Sequence, residues 1–295
     1  MLGIKRGFFF IRLALAEAFK NRKLLKPVWA FLLGSLIITL ILLIPINLIL
    51  FFLGRDTLGL ALIGAICTIL LYALFIWGDI NALMAAAIFD DIQCGAEPNP
   101  ITAREAKKSG WLEVIKYDLA YPTLLPALWF PSKPRMVAVD GLDTTVEKNA
   151  WLKGLFLTKP LFALERLKLK DVPNRIREMV ARNLLRFNPA MIRVRRITGW
   201  ISLLFITLGT AVGIMVGLAL VRNGLVPTYQ FLIAASVGLL AGTLVALPGI
   251  ALTVYSRMIY HTAIYRWMVS VEQTNTTQGP ALIPGILSRV LNKQD

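Results

Sequence analysis

Histidine and cysteine are nearly absent from this chain of 295 residues, which contains one histidine and two cysteines. A single histidine, His261, excludes haem ligation by two histidines of one chain. No spacing of cysteine, histidine and carboxylate matches a zinc site. Cys67 falls in an apolar run and Cys94 in a polar one, so we expect no disulfide between them. The sequence therefore predicts neither a bound metal nor a cofactor.

Recognisable catalytic motifs are also lacking. The chain has no phosphate-binding loop, nucleophile elbow or zinc-protease helix. Asp90 and Asp91 with Cys94 form the most enzyme-like cluster, because paired carboxylates can bind Mg²⁺ or act as acid and base. A helix that ends at a polar surface explains the pair more simply, and no second acidic cluster stands at a useful spacing. We predict no catalytic residue.

Long apolar runs, by contrast, are abundant. Hydrophobic residues make up 57% of the chain, above the roughly 45–50% of soluble domains. Runs near 28–53, 57–78, 199–221 and 229–255 reach the length of about 20 residues that crosses a bilayer. Because ionisable residues inside spans usually mark ion or substrate paths, their near absence argues against a proton- or sodium-coupled transporter. Asp79 follows Trp77 and is expected at the interface.

These runs predict an all-α integral membrane protein with four transmembrane helices in two hairpins, amphipathic interfacial helices and a helical cytosolic middle segment. The segments that we predict, in order, are a basic amphipathic interfacial helix (1–27), a first transmembrane hairpin (28–89), a cytosolic or interfacial helical segment (90–197), a second, glycine-rich transmembrane hairpin (198–262) and a cytosolic tail (263–295). The second span is expected to continue as a helix to Phe89, and the fourth through Tyr265.

The middle segment shows two capping-box spacings, Thr102 with Glu105 and Thr144 with Glu147. They predict helices near 103–118 and 145–156. Between them, Ala120–Phe130 is apolar but interrupted by two prolines, so we predict a re-entrant or interfacial stretch there. No alternation that would indicate a β-strand is apparent.

The net charge of +15 comes from 32 lysine and arginine residues against 17 acidic ones. Of the basic residues, only Arg55 and Arg222 lie in the turns of the two hairpins. The positive-inside rule then places both termini and the middle segment in the cytosol. We predict a multi-pass protein of the plasma (inner) membrane. Aromatic residues are not interleaved with the basic ones in the manner of base stacking, so we expect no nucleic-acid partner.

Two basic amphipathic helices are predicted to lie in the membrane interface. In the first, over residues 4–25, Ile4, Phe8, Ile11, Leu15 and Phe19 fall at helical spacing; the alternative is packing against the protein's own cytosolic part. In the second, Ile176, Met179, Val180, Leu184 and Phe187 share a face. The residues that we expect to contact anionic lipid headgroups on the cytosolic side are Lys5, Arg12, Lys20, Lys23, Arg175, Arg177, Arg182 and Arg186.

Small residues recur at intervals of four in the last two spans. The first stripe is Gly209, Gly213 and Gly217, and the second is Ala234, Gly238, Gly242 and Ala246. Such stripes let helix backbones approach closely in lipid. We expect the two stripes to pack against each other in one hairpin. The alternative is that a stripe contacts another copy of the chain or another membrane-protein subunit.

Four short features stand out along the chain: Gly7 in the basic start, Leu24–Pro27, Met136–Gly141 before Glu147, and Ala263–Arg266. In these features the chain resembles an uncharacterised family of prokaryotic multi-pass membrane proteins, known only as a domain of unknown function. None of them is a catalytic motif, and the resemblance implies no activity.

The sequence favours a non-catalytic scaffold, accessory or assembly subunit of a larger membrane complex. An oligomeric channel or passive transporter lined by the glycine-rich helices is the second possibility. A membrane-embedded lipid-modifying enzyme is the third.

Overall fold

The computed structural model describes residues 2–53, 56–129, 136–139, 142–147, 150–182, 192–222, 227–277 and 284–292. The helices within these residues are α1 (Leu2–Lys20), a 3-10 helix (Arg22–Leu24), α2 (Leu25–Leu53), α3 (Thr57–Gln93), α4 (Pro100–Trp129), a second 3-10 helix (Ala150–Leu157), α5 (Thr158–Leu164), α6 (Val172–Ala181), α7 (Val194–Arg222), α8 (Pro227–Thr277) and α9 (Gly285–Leu291). Two short strands are β1 (Met136–Val139) and β2 (Leu142–Glu147). Helices α2, α3, α7 and α8 are long and apolar enough to cross a membrane.

The chain divides into two compact units. One, which we name the apolar unit, comprises Val28–Gly78 and Arg195–Tyr255. The other, which we name the ion-paired unit, comprises Met1–Pro27, Asp79–Val194 and Ser256–Asp295. Helices α3 and α8 contribute residues to both, because each continues as one helix past its apolar run. The predicted helical continuations to Phe89 and through Tyr265 are thereby confirmed.

The apolar unit has a small, well-packed interior and a large apolar exterior. Phe31 is fully buried and meets the ring of Tyr255 edge-on, with 6.3 Å between the ring centroids. Gly34 leaves room for the indole of Trp77, which occupies the space that a Cβ would need. Exposed apolar side chains on its helices include Ile37, Ile41, Leu48, Leu203, Leu208 and Met215. Such an exterior is costly in water and suits a hydrocarbon surrounding.

Helix α1 packs against the protein with a different side from the apolar face that was predicted to lie in the membrane interface. Phe10, Ile11 and Ala14 are buried, and Phe10 packs edge-on against Tyr260 with 5.2 Å between the ring centroids. Of the five predicted apolar positions only Ile11 is buried, whereas Phe8 is 55% exposed and Phe19 71% exposed. Apolar residues thus occupy both sides of α1, one against the protein and one facing outward.

Helix α4 is longer than the predicted helix 103–118. It continues to Trp129 through the apolar stretch that was predicted to be re-entrant or interfacial; Phe130 lies outside the described residues. Prolines at 122 and 126 occupy positions one turn apart, so the backbone hydrogen bonds that they remove are confined to one side of the helix. The chain is therefore helical through both prolines, and the re-entrant or interfacial location of this stretch stays a prediction.

The described residues are predominantly helical, as predicted, but the middle segment contains one β-hairpin where no strand was expected. Strands β1 and β2 pair antiparallel, with Met136 opposite Glu147, Val137 opposite Val146, and a register shift between Ala138 and Val139. The Thr144–Glu147 capping box is consequently wrong, since it lies within β2, and the following helix begins at Ala150. The sequence carries two signals for this hairpin: Asp-Gly between the strands and the β-branched run Thr-Thr-Val in β2.

Candidate functional site

The two small-residue stripes face each other in the apolar unit. A Cβ placed on Gly213 would lie 2.7 Å from the carbonyl oxygen of Gly238, and one on Gly242 would lie 2.7 Å from that of Gly209. Real Cβ atoms essentially never approach another atom within 3.0 Å. The spacing widens only toward Gly217, where a Cβ would lie 3.3 Å from the oxygen of Ala234, whereas a Cβ on Gly209 would lie closer to the carbonyl oxygen of Gly242 than at any other position of the stripe. We name this contact of α7 with α8 the glycine interface.

Glycine alone does not explain this close approach. Gly64 lies in α3 within another apolar run, yet a Cβ added there would meet nothing within 4 Å. A glycine needs to lack a side chain only where another group occupies the space of a Cβ, as the carbonyl oxygen of Gly238 does at Gly213. Gly213, which faces a backbone, and Gly64, which faces open space, therefore offer a matched pair for mutation.

Several polar side chains of the apolar unit hydrogen-bond to backbone carbonyls or to each other. The hydroxyl of Thr253 donates to the carbonyl oxygen of Thr198 at 2.7 Å, and that of Thr39 to Ser35 at 2.8 Å. Asn47 and Ser236 bond to each other at 3.0 Å. The segments 28–53, 57–78, 199–221 and 229–255 contain no acidic, basic or histidine residue. These segments therefore contain no formally charged side chain.

The ion-paired unit contains a lysine held between two carboxylates. Lys159 of α5 donates to Asp79 of α3 and lies 2.8 Å from an oxygen of Asp118 of α4. Its ammonium also lies 5.7 Å above the ring of Tyr117. The Lys159 side chain is 20% exposed, and the two carboxylates are 19% and 12% exposed. One cation therefore joins three helices.

Burial and charge act in opposite directions in this triad. Burial raises the pKa of Asp118 to about 6, although the charge of Lys159 lowers it. Burial lowers the pKa of Lys159, but the two carboxylates outweigh burial and raise the pKa above its usual value. The lysine is therefore cationic at neutral pH, and its charge offsets the burial of the carboxylates.

A second cluster surrounds Arg175 of α6. Its guanidinium contacts Glu165 at 3.1 Å, Glu178 at 3.3 Å and Glu272 of α8 at 3.0 Å. Tyr265 donates its hydroxyl proton to Glu165 at 2.7 Å. The Arg175 side chain is 20% exposed. This arginine therefore links α6 to α8, in a position that sequence analysis had predicted to face lipid headgroups.

The other predicted headgroup residues have different surroundings. Lys5, Arg12 and Lys20 are exposed on α1. Lys23 bonds to Glu97 at 2.8 Å, Arg177 to Asn174 at 2.8 Å and Arg182 to Glu272 at 2.8 Å. Arg186 lies outside the described residues, as do Leu184 and Phe187 of the predicted apolar face. Ile176 and Met179 of that face are fully buried in the protein.

The enzyme-like cluster takes part in a further ion pair. Asp90 lies 3.2 Å from the guanidinium of Arg266, which also contacts the sulfur of Cys94. His261 lies among rings, with its centroid 5.6 Å from that of Phe156. Within the described residues, no group of three or more histidine, cysteine or acidic side chains could hold a metal ion.

Sequence reasoning missed Lys159, Asp118, Glu165 and Glu272, which carry these clusters. One signal was available, because Lys159 is the only charged residue of the apolar stretch Gly154–Leu164. A charge inside a short apolar helix needs a partner, since burying it alone is costly. Nothing in the sequence indicates which carboxylates provide it.

Comparison with known proteins gave no match to a family model, a curated protein or a solved structure.

Proposed function

We propose that this chain is a non-catalytic integral membrane scaffold, an accessory or assembly subunit of a larger complex in the plasma (inner) membrane. Four helices have the length and composition to cross the bilayer. Both termini and the ion-paired unit lie in the cytosol, as the distribution of lysine and arginine favours. Its partners are other membrane-protein subunits or further copies of the chain, together with anionic lipids.

The glycine interface is the observation that carries this proposal. In hydrocarbon, apolar surface gives helices no reason to associate, so close backbone packing is a main source of affinity between them. A channel or carrier lined by α7 and α8 would need polar rings or exposed carbonyls along a water path. Here the facing carbonyls are covered by the opposite backbone, and the runs contain no charge. The arrangement suits a rigid membrane anchor.

Helix α1 supports the lipid contact. Its outward side carries Ile4, Phe8, Leu15 and Phe19, all exposed. Exposed Lys5, Arg12 and Lys20 lie beside them. A helix with bulky apolar residues bordered by basic ones binds the boundary between headgroups and acyl chains.

The experiment compares Gly213→Leu with its matched control Gly64→Leu. A leucine at 213 has to displace the backbone of α8, so we expect a loss of about 1–3 kcal/mol in stability. Lower abundance and loss of co-purifying subunits or copies in mild detergent should follow. A leucine at 64 meets open space, so abundance and co-purification should both remain at the wild-type level.

A measurement of ion and solute flux into liposomes tests the alternative of a channel or carrier. The reconstituted wild type should conduct nothing above empty liposomes. If it conducts, and folded glycine variants alter that conductance, the scaffold proposal is wrong and a channel replaces it.

A further inference from the structure

Helix α4 exposes an apolar stripe that sequence analysis did not single out. Ile101 is 66% exposed, Leu112 44% and Leu119 59%. Lys108 lies between Ile101 and Leu112. The four residues are separated by intervals of seven, four and seven positions, and this spacing places them on the same face of the helix. Trp111, 46% exposed, borders this face. We name these residues the α4 stripe.

The opposite side of α4 is firmly packed, so the stripe is a fixed surface. Ala103, Ala106 and Val114 are buried. A Cβ on Gly110 would lie 2.8 Å from a methyl carbon of Leu83 and 3.4 Å from Phe162. The helix cannot rotate to bury its exposed apolar residues without breaking this packing.

The charges of α4 leave the stripe positive. Each of its three acidic residues has a cationic partner: Glu105 pairs with Arg166 at 2.7 Å, Glu113 with Lys116 at 2.8 Å, and Asp118 with Lys159 at 2.8 Å. Arg104 and Lys108 are exposed. Neither of these two forms an ion pair within the part of the chain that the structure describes. Their positive charges are thus available to an outside partner.

We propose that the α4 stripe lies on an anionic lipid surface, with its apolar residues at the boundary of the acyl chains and with Arg104 and Lys108 on the headgroups. Tryptophan favours this depth, and lysine and arginine favour anionic headgroups. The same combination of exposed bulky apolar and basic residues recurs on α1 of the same unit, which favours a shared lipid surface over a protein partner. The inference rests on the proposed membrane location.

The test uses the full chain with Cys67 and Cys94 replaced by alanine and serine. Single cysteines at Leu112, Asp171 and Leu208 carry a fluorophore, and nanodiscs contain phosphatidylcholine with or without phosphatidylglycerol. A brominated lipid quenches labels that touch it. Asp171 is an exposed polar control, and Leu208 of α7 reports membrane insertion.

We expect the label at 112 to be quenched at least twofold more than the label at 171. The charge-reversed pair Arg104→Glu and Lys108→Glu should lower quenching at 112 in phosphatidylglycerol discs to the level seen without that lipid. Circular dichroism should show the same helix content for both proteins.

Equal quenching at 112 and 171, with 208 quenched, overturns the inference and leaves the proposed membrane scaffold standing. If the label at 208 is also unquenched, the lipid contact of the α4 stripe and the proposed membrane scaffold are both wrong. Disulfide formation between cysteines at 112 of two copies, without quenching, would assign the stripe to a contact between copies and likewise overturn the lipid surface.

Discussion

At the scale of single residues, Lys159 shows how one charge can organise a helical unit. It lies at the start of α5 and contacts carboxylates on α3 and α4. A buried ion pair adds little net stability compared with apolar residues of the same size. Removing one partner is far more costly, because the remaining charge stays buried. The triad therefore selects one arrangement of three helices.

Replacing this lysine tests that role. Lys159→Met leaves two carboxylates buried side by side, so we expect a loss of about 3 kcal/mol in the free energy of unfolding. Thermal unfolding in detergent measures the effect. Lys170→Met, at an exposed position, is the control and should change little.

A second substitution separates charge from packing. Adding Asp118→Asn to Lys159→Met removes one of the two unpaired carboxylates. The double variant should therefore recover part of the lost free energy of unfolding. An unchanged melting temperature in Lys159→Met would show that the triad does not hold the helices together.

At the scale of elements, local signals and tertiary contacts disagree most in the middle segment. The capping-box spacing at Thr144 is a helix signal, but the pairing of β2 with β1 satisfies the same backbone groups in a ladder. Helix α6 was predicted as an interfacial helix, yet Ile176 and Met179 are fully buried and Arg175 is bound by three carboxylates. Packing inside the protein uses the residues that an amphipathic pattern assigns to lipid.

Arg175→Gln should weaken the attachment of α6 to α8, although Arg182 at the end of α6 keeps its own contact with Glu272 at 2.8 Å. The change leaves Glu165, Glu178 and Glu272 without their shared cation, and we expect a loss of about 2–3 kcal/mol because the cluster is mostly buried. Hydrogen exchange of amides in α6 should accelerate. Arg177→Gln, two residues away and bonded to Asn174, is the matched control and should exchange as the wild type does. Equal acceleration in both variants would contradict a special role for Arg175.

At the scale of the whole molecule, the distribution of charge predicts a topology. Reporter fusions after Thr57 and Gly224 should be external, whereas fusions after Lys108, Lys170 and the C-terminus should be cytosolic. The reason is that short basic segments beside spans resist translocation. An external signal after Lys170 would rule out four spans with this orientation. Alkaline phosphatase and green fluorescent protein fusions give complementary readings at each position.

The sequence by itself determined the features that depend on local composition. Runs of uncharged apolar residues indicate long helices, because backbone groups in hydrocarbon have to bond within their own segment. The four-residue period of the small residues places them on one face whatever surrounds the helix. The four long helices and the two stripes could therefore be predicted from residues alone, as could the extension of α3 and α8 beyond their apolar runs.

Only the tertiary structure decided which surfaces meet. Apolar residues occur on two sides of α1, and periodicity cannot tell which side packs against Tyr260 and which stays exposed. Asp118, a partner of Lys159, and Glu272, a partner of Arg175, lie on other helices, 41 and 97 positions away in the chain. Such pairs depend on the three-dimensional path of the chain, since an ion pair needs atoms within a few ångströms regardless of their separation in sequence.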